Sequence, residues 1–504
     1  MIAKVTTIGL KGVDGYRVQV EVQTTCGMEA FKIVGLPDTS VRESKQRVSA
    51  ALHSLENYLV DQKTIVNLSP SEQKKNGPFF DLPIAIGILK SMNVIEAQID
   101  SNTGFIGALS LEGAVLAVEG MLPAILAAKR IGLSILYMPY SDSLPALEIE
   151  GLEIIYISSI QQVLKHLSGK SIPIIRGIQK PNIQKIYHDK DFSSIIGHQE
   201  AKRALEVSAA GEHQVFMVGP PGSGKSMLAE TLPSILPPLS REAQLEKISL
   251  YELAGLDYSD SCLPPIRAPH HSASSVSIVG GGQSPKPGEI SLAHLGVLFL
   301  DEIAEFSKKT LDMLRQPIES GVITISRVRT IVKYPAAFLL IGAMNPCPCG
   351  YEGSTTHYCT CSSKQVQLYR NKLSGPMRDR FDINLTIKPV IISRENSSVE
   401  EASESIRKRV TAARDRQYER YGQDITNNRV SFELLIQSGT LPNQIQEFLQ
   451  RVTIKNKWSS RAQIKILRLA RTISDLKGIE KITEDCILEA INLHQLYNKG
   501  NITT

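Results

Sequence analysis

The stretch VFMVGPPGSGKSMLAE, residues 215–230, decides the fold. Its first four residues are an unbroken apolar run of strand length. Gly219, Pro220, Pro221, Gly222, Ser223, Gly224, Lys225 and Ser226 then fit the pattern G-x-x-x-x-G-K-S. A helix is predicted to follow, and strand, glycine loop and helix in that order are the context this motif needs. The glycines let backbone N–H groups close around phosphates, Lys225 reaches the β and γ phosphates, and the Ser226 hydroxyl ligates Mg²⁺ at the helix N-terminus. A glycine-rich turn without a ligand would not need all three parts together.

Working outward, two more apolar runs end in polar residues. In GVLFLDEIAEF, residues 296–306, a four-residue apolar run stops at Asp301 and Glu302. Two carboxylates at the tip of a buried strand are costly unless something cationic is there. Asp301 is expected to hold Mg²⁺ through water, and Glu302 to polarise the attacking water. The competing reading is that the pair caps the next helix. In FLLIGAMN, residues 338–345, a third buried strand ends at Asn345.

The bulk numbers set the frame. A chain of 504 residues with 42% hydrophobic content can bury large cores and is expected to split into two to four domains. A net charge of only +5 means that any nucleic-acid contact must come from local basic surfaces. The opening MIAKVTTIGLKG lacks the apolar core of a signal peptide, and the longest uncharged apolar run, AAFLLIGAM, is about half of a membrane span. The expectation is a soluble cytoplasmic protein. SGKSIPIIRGIQKPNIQKIYHDKDFSS, residues 168–194, interrupts the hydrophobic periodicity with Pro, Lys and isolated isoleucines and reads as a linker. Before it, strand-like YRVQVEVQT, KTIVNLS and LEIIYIS alternate with helical segments near residues 38–59 and 122–131. After it, short apolar strands separated by helices imply a parallel sheet wound on both faces. From about residue 396 the pattern is almost entirely helical.

With the three strand tips in order, residues 191–390 resemble a AAA+ ATPase module. The segments PHHSASSVSIVGGGQSPKPGEISLAHLGVLFLDEIAEF, LRQPIESGVITISR and NPCPCG are similar to the ComM/YifB family of magnesium-chelatase-like AAA+ ATPases. The resemblance covers nearly the whole chain. It implies an α/β protein with an N-terminal Lon-protease-like α+β domain over 1–167, a linker over 168–190, a AAA+ core over 191–390 and a helical lid over 391–504. In that family Asn345 would be sensor 1, orienting water beside the γ phosphate. SGPMRDRFD resembles the arginine-finger segment, so Arg380 would enter a neighbour's ATP site, which demands an oligomer, by the family a hexameric ring. SSRAQIKILRLARTISDL resembles the sensor 2 helix, with Ile466, Leu469, Ile473 and Leu476 on its packed face and Arg461 reaching the γ phosphate. IIGHQEAKRAL resembles the segment where Ile196 and Gly197 line the adenine.

Four further groups are expected to face substrate or to hold a loop. VITISRVRTIVKYP alternates apolar and polar residues around a basic tip, so it reads as a hairpin whose Arg327 and Arg329 ride on DNA phosphates; a solvated hairpin is the alternative. The Gly- and Ser-rich loop 268–289, with Lys286, would be a second mobile element facing DNA. The helix SIRKRVTAARDRQYERYG carries six basic residues against two acidic ones, compatible with a solvated face or with DNA contact. Cys347, Cys349, Cys359 and Cys361 sit in two C-x-C pairs and fit a structural Zn²⁺, with His357 as a substitute ligand and free thiols as the alternative.

In the N-terminal region, NLSPSEQKKNGPFFDLPIAIGIL and GALSLEGAVLAVEGMLPAILAAKRIGL resemble the Lon-protease domain. Phe79 and Leu122 stand where that family's catalytic Ser and Lys would be, and neither can act as nucleophile or base; Asp81 and Lys74 have no assigned role. The resemblance thus implies an ATP- and Mg²⁺-dependent DNA motor that drives branch migration of recombination intermediates, rather than a peptidase. A chelatase-subunit-like remodelling ATPase is the alternative.

Overall fold

The computed structural model describes residues 2–172, 189–390, 400–437 and 443–495, apart from positions 58, 60, 143, 146, 259, 283–284, 328–329, 355–356 and 423. The chain divides into two compact units, Met1–Gln184 with Leu245–Asp260, and Lys185–Gln244 with Ser261–Thr504. Most of the expected linker, residues 173–188, lies outside the described residues.

The first unit is built on a seven-stranded sheet. Its order is Ala30–Val34, Gln62–Ser69, Asp14–Cys26, Ile2–Lys11, Thr103–Phe105, Ile135–Pro139, Glu153–Ile157. Ile2–Lys11 and Asp14–Cys26 form an antiparallel hairpin, and their alternating valines enter the core beneath the apolar helix Asp81–Ser91. The Asp38 side chain accepts from Val41 N at 2.8 Å and starts the helix Thr39–Ser54. Phe79 and Leu122 are buried apolar residues of this unit. Asp81 is fully buried and takes a two-point contact from Arg47, with Nε at 2.6 Å and Nη2 at 3.0 Å, plus Leu109 N at 3.1 Å. Its role is therefore to anchor the helix that it begins.

The segment Leu245–Asp260 was expected inside the ATPase core but belongs to the first unit. Leu245 and Ile248 are buried with Leu122. The Glu252 carboxylate accepts from Gly120 N at 2.9 Å, Met121 N at 2.8 Å and Leu122 N at 3.1 Å. Those are unsatisfied donors at the start of the helix Met121–Arg130, so an acidic side chain from a distant segment supplies its cap.

The second unit carries a five-stranded parallel sheet in the order Ile266–Arg267, Val297–Leu300, Leu339–Met344, Val215–Val218, Ile383–Thr386. The strands at Val297, Leu339 and Val215 are buried on both faces, which explains their continuous apolar sequences. The helix Gln199–Gly211 packs on this sheet, and the C-terminal helices Ser403–Tyr421, Ser460–Lys477 and Glu484–Gln495 share the same core. Ile466, Leu469 and Ile473 are fully buried, with Leu476 packed against them.

Five of the six basic residues of the helix Ser403–Tyr421 are held by partners on other segments, and Lys408 is solvent-exposed. Arg409 pairs with Glu206 at 2.6 Å, and Arg414 donates to Ala209 O at 2.7 Å. Arg416 donates to Asp475 O at 2.7 Å, and Arg420 pairs with Asp475 at 2.6 Å. Arg407 donates to Ser234 O at 3.3 Å, and Lys408 pairs with Glu404 one turn away. Among the described residues no helix is long and apolar enough to cross a membrane.

Candidate nucleotide-binding site

The phosphate loop leaves the strand Val215–Val218 at Gly219 and turns into the helix Lys225–Thr231 at Gly224. Gly219 N donates to Met344 O at 3.2 Å, which fixes the loop beside the strand tip that carries Asn345. A side chain at position 219 would meet Ile387 O at 2.4 Å, so the close backbone approach requires glycine. Lys225 Nζ donates to Gly219 O at 2.6 Å, Pro220 O at 2.9 Å and Asn345 Oδ1 at 3.2 Å. Burial lowers its pKa, opposed by the charges of Asp301 and Glu302. Ser226 Oγ donates to Asp301 Oδ2 at 2.9 Å, which brings together the two oxygens expected at Mg²⁺. Ser223 Oγ is buried and has no hydrogen-bond partner among the described residues. A buried hydroxyl left unpartnered in a cradle of backbone N–H groups fits a phosphate.

The two carboxylates divide their tasks. Asp301 Oδ1 accepts from Glu302 N at 2.8 Å while its other oxygen holds Ser226. Glu302 starts the short helical turn Ile303–Glu305 but its side chain makes no cap, so capping does not explain it. Its backbone is left-handed, φ 48°, a conformation that for a non-glycine residue concentrates at functional sites. Its side chain lies 3.4 Å from His271 Nδ1.

The two arginines stand apart from this cluster, at a shared carboxylate. Arg380 Nη2 lies 2.8 Å from Glu319 Oε1, and Arg461 Nη2 lies 2.6 Å from the same oxygen. Together with Lys465 and Arg468 they line a cavity of about 470 Å³. Burial lowers the Arg380 pKa, and the charge of Arg461 adds to it. Ile196 is partly exposed, and Gly197 N donates to Glu400 Oε1 at 2.8 Å, with Lys202 pairing with the same carboxylate at 2.6 Å. Glu319, Glu400 and His271 were not singled out from sequence. Glu319 and His271 lie within the quoted segments but carry no recognisable role there, Glu400 lies outside them, and each reaches its partner only through the fold.

VITISRVRTIVKYP does form a hairpin, with Val322–Arg327 antiparallel to Thr330–Pro335. Arg327 closes the ladder opposite Thr330; its side chain and all of Arg329 lie outside the described residues. The loop 268–289 is more ordered than expected. It contains the helix Ser275–Val279, and Lys286–Pro287 pairs with Gly280–Gly281, leaving the Lys286 side chain exposed. Tyr334 of the hairpin donates to Pro285 O at 2.7 Å, which joins the two insertions. Cys347, Cys349, Cys359 and Cys361 gather with their sulfurs within 4.8 Å of one another. His357 stacks on Tyr351 and is not among them.

Fold and site together define an α/β ATPase of the AAA+ class. Family models match in three consecutive blocks: "Subunit ChlI of Mg-chelatase" over residues 20–142, "Magnesium chelatase, subunit ChlI" over 191–394 and "Magnesium chelatase, subunit ChlI C-terminal" over 400–494. The chain is 38% identical over 488 residues to competence protein ComM of Haemophilus influenzae, covering 95% of each chain. It is 37% identical over 501 residues to the protein YifB of Salmonella typhimurium, covering 97% of this chain and 96% of YifB. Magnesium-chelatase subunit ChlI of Mesostigma viride is 22% identical over 350 residues, 64% of this chain and 90% of that one. The chain belongs to the ComM/YifB family of magnesium-chelatase-like proteins.

Proposed function

We propose that this ComM-like ATPase is a DNA motor, a cytoplasmic hexameric ring that uses ATP and Mg²⁺ to drive branch migration of recombination intermediates. The single observation that carries the nucleotide half is the convergence of Lys225, Ser226, Asp301 and Asn345 from three strand tips. Lys225 and the loop N–H groups hold the phosphates, Ser226 and Asp301 hold Mg²⁺, Glu302 activates water, and Asn345 orients it. The ring reading is supported by Arg380 and Arg461 meeting at Glu319, since neither has a partner in its own phosphate loop. On leaving Glu319, Arg380 would enter an adjacent subunit's ATP site and Arg461 would reach the γ phosphate. The DNA half is supported by the likeness to a protein named for competence and by the basic residues Arg327 and Arg329 in the hairpin sequence and Lys286 in the neighbouring insertion. The four cysteines are read as a structural Zn²⁺ site.

A chelatase-subunit-like remodelling ATPase is the second reading, favoured by the descriptions of the three family models. ATPase stimulation separates the two. Forked or four-way DNA should raise turnover in the motor and leave a chelatase-like enzyme unchanged. The double variant Arg327→Ala, Arg329→Ala should keep basal turnover and lose that stimulation; full stimulation in the variant would remove the hairpin from the account.

A further inference from the structure

The four-cysteine knuckle lies directly against the nucleotide site. Its first ligand, Cys347, stands two residues after Asn345 and is buried, while the other three cysteines are half-buried. The Sγ separations are 3.3 Å for Cys347 and Cys349, 3.5 Å for Cys349 and Cys359, and 3.7 Å for Cys347 and Cys359. A disulfide needs about 2.05 Å. Four sulfurs about 2.3 Å from a tetrahedral Zn²⁺ lie about 3.8 Å apart. The cage therefore fits one small soft cation, and all seven cysteines are free. Glu352 N donates to Cys347 Sγ at 3.3 Å, and Arg370 ties Glu352 (2.7 Å) to Pro346 O (3.4 Å). That is the outer hydrogen bonding that orients metal ligands.

Two contacts connect this knuckle to the phosphate loop and to Asn345. Gly350, at φ 84° inside the first turn of the knuckle, packs so closely on Pro221 that a Cβ there would lie 2.7 Å from Pro221 Cδ. On the other side, the Asn345 backbone N–H faces the hydroxyl of Tyr369, on the helix Ser363–Arg370 that follows Cys361; burial pushes that hydroxyl's pKa up to about 12, and the Asn345 N–H acts against the rise.

We propose that Zn²⁺ bound by Cys347, Cys349, Cys359 and Cys361 is a positioning element for ATP turnover, bracing Pro221 of the phosphate loop and Asn345 together. This rests on the reading of the Lys225 site as the ATP site. Binding releases the thiol protons to solvent and moves no electrons. Loss of the ion frees a polar loop that has little apolar surface to fold around, and the brace loosens.

The test uses the full chain, purified without chelator. Metal analysis should find about one equivalent of zinc per chain, lost in the double variant Cys359→Ser, Cys361→Ser and retained in Cys26→Ser, Cys262→Ser. Less than a tenth of an equivalent after incubation with Zn²⁺ and reductant, or iron in its place, overturns the site. Gly350→Ala separates holding the ion from bracing the loop. It should keep its zinc but lose ATP turnover roughly ten- to a hundredfold, as a sub-ångström to ångström displacement of catalytic groups does. Releasing zinc from wild-type protein with an organomercurial should do the same, and thiol should reverse it. Zinc-loaded Gly350→Ala with wild-type kcat and KM overturns the bracing role. Zinc-loaded wild-type protein that binds no fluorescent ATP analogue would instead contradict the nucleotide-site reading itself.

Discussion

Asp475 is fully buried and satisfies three side chains, with Arg420 at 2.6 Å, Asn427 at 2.8 Å and Arg471 at 3.6 Å. Removing one partner of such a cluster leaves buried charge uncompensated, which costs about 3–5 kcal/mol. Asp475→Ala is therefore expected to lower the unfolding free energy of the second unit by about that amount, seen as a lower urea midpoint, and an unchanged midpoint would contradict the packing described. At the nucleotide site, Lys225→Ala should lower kcat by about 10²–10³-fold while the chain stays folded, measured by phosphate release and circular dichroism. Lys225 and Ser226 were legible from the G-x-x-x-x-G-K-S pattern between a strand and a helix, and Asp301 and Asn345 because each ends an apolar run, where a polar residue must answer to something. Glu319 was not legible. It is an ordinary acidic residue until the fold brings Arg461, 142 positions away, onto it.

At the scale of elements, strands and helices followed from periodicity, whereas their capping and partnering did not. The helix Met121–Arg130 has no capping side chain of its own, and its cap, Glu252, comes from the far side of the phosphate-loop motif. The six basic residues near 407–420 suggested a surface, but five of them find carboxylate and carbonyl partners on other segments, which no local pattern reveals; only Lys408 pairs within the helix. The junction between the helix Gln199–Gly211 and the strand Val215–Val218 carries a pH dependence. His213 is fully buried, with Nε2 2.8 Å from Thr472 Oγ1. Burial pushes its pKa down to about 4; Asp382 and Glu212 oppose this, while Arg468 and Lys465 add to it. Because the folded pKa lies below the unfolded one, the native state holds fewer protons, and stability present above about pH 6.5 is lost as pH falls toward 4. The loss is on the order of 3 kcal/mol over that window. Asp382, held low by Lys465 despite its burial, acts in the same direction at lower pH. Melting curves between pH 7 and 5 should show the slope in wild type and a shallower one in His213→Gln; equal slopes would remove His213 as its source.

For the whole molecule, the position of the two arginines is the feature with the widest consequence. If Arg380 serves the neighbouring subunit, Lys225→Ala and Arg380→Ala chains are each inactive alone yet complement one another. An equimolar mixture then has roughly a quarter of its interfaces intact and should recover about that share of turnover. A mixture as inactive as its parts would place Arg380 at its own site. The assembly itself was never legible in composition or periodicity, since a ring is a property of surfaces and not of hydrophobic pattern. The account's central claim is that ATP held at Lys225 powers movement along DNA, and its most direct test is branch migration of a synthetic four-way junction. The wild-type chain should convert the junction to duplex products with ATP and Mg²⁺, and Lys225→Ala should leave it intact. A junction left untouched by wild-type protein that is actively hydrolysing ATP, or one resolved equally well by the Lys225 variant, would contradict it.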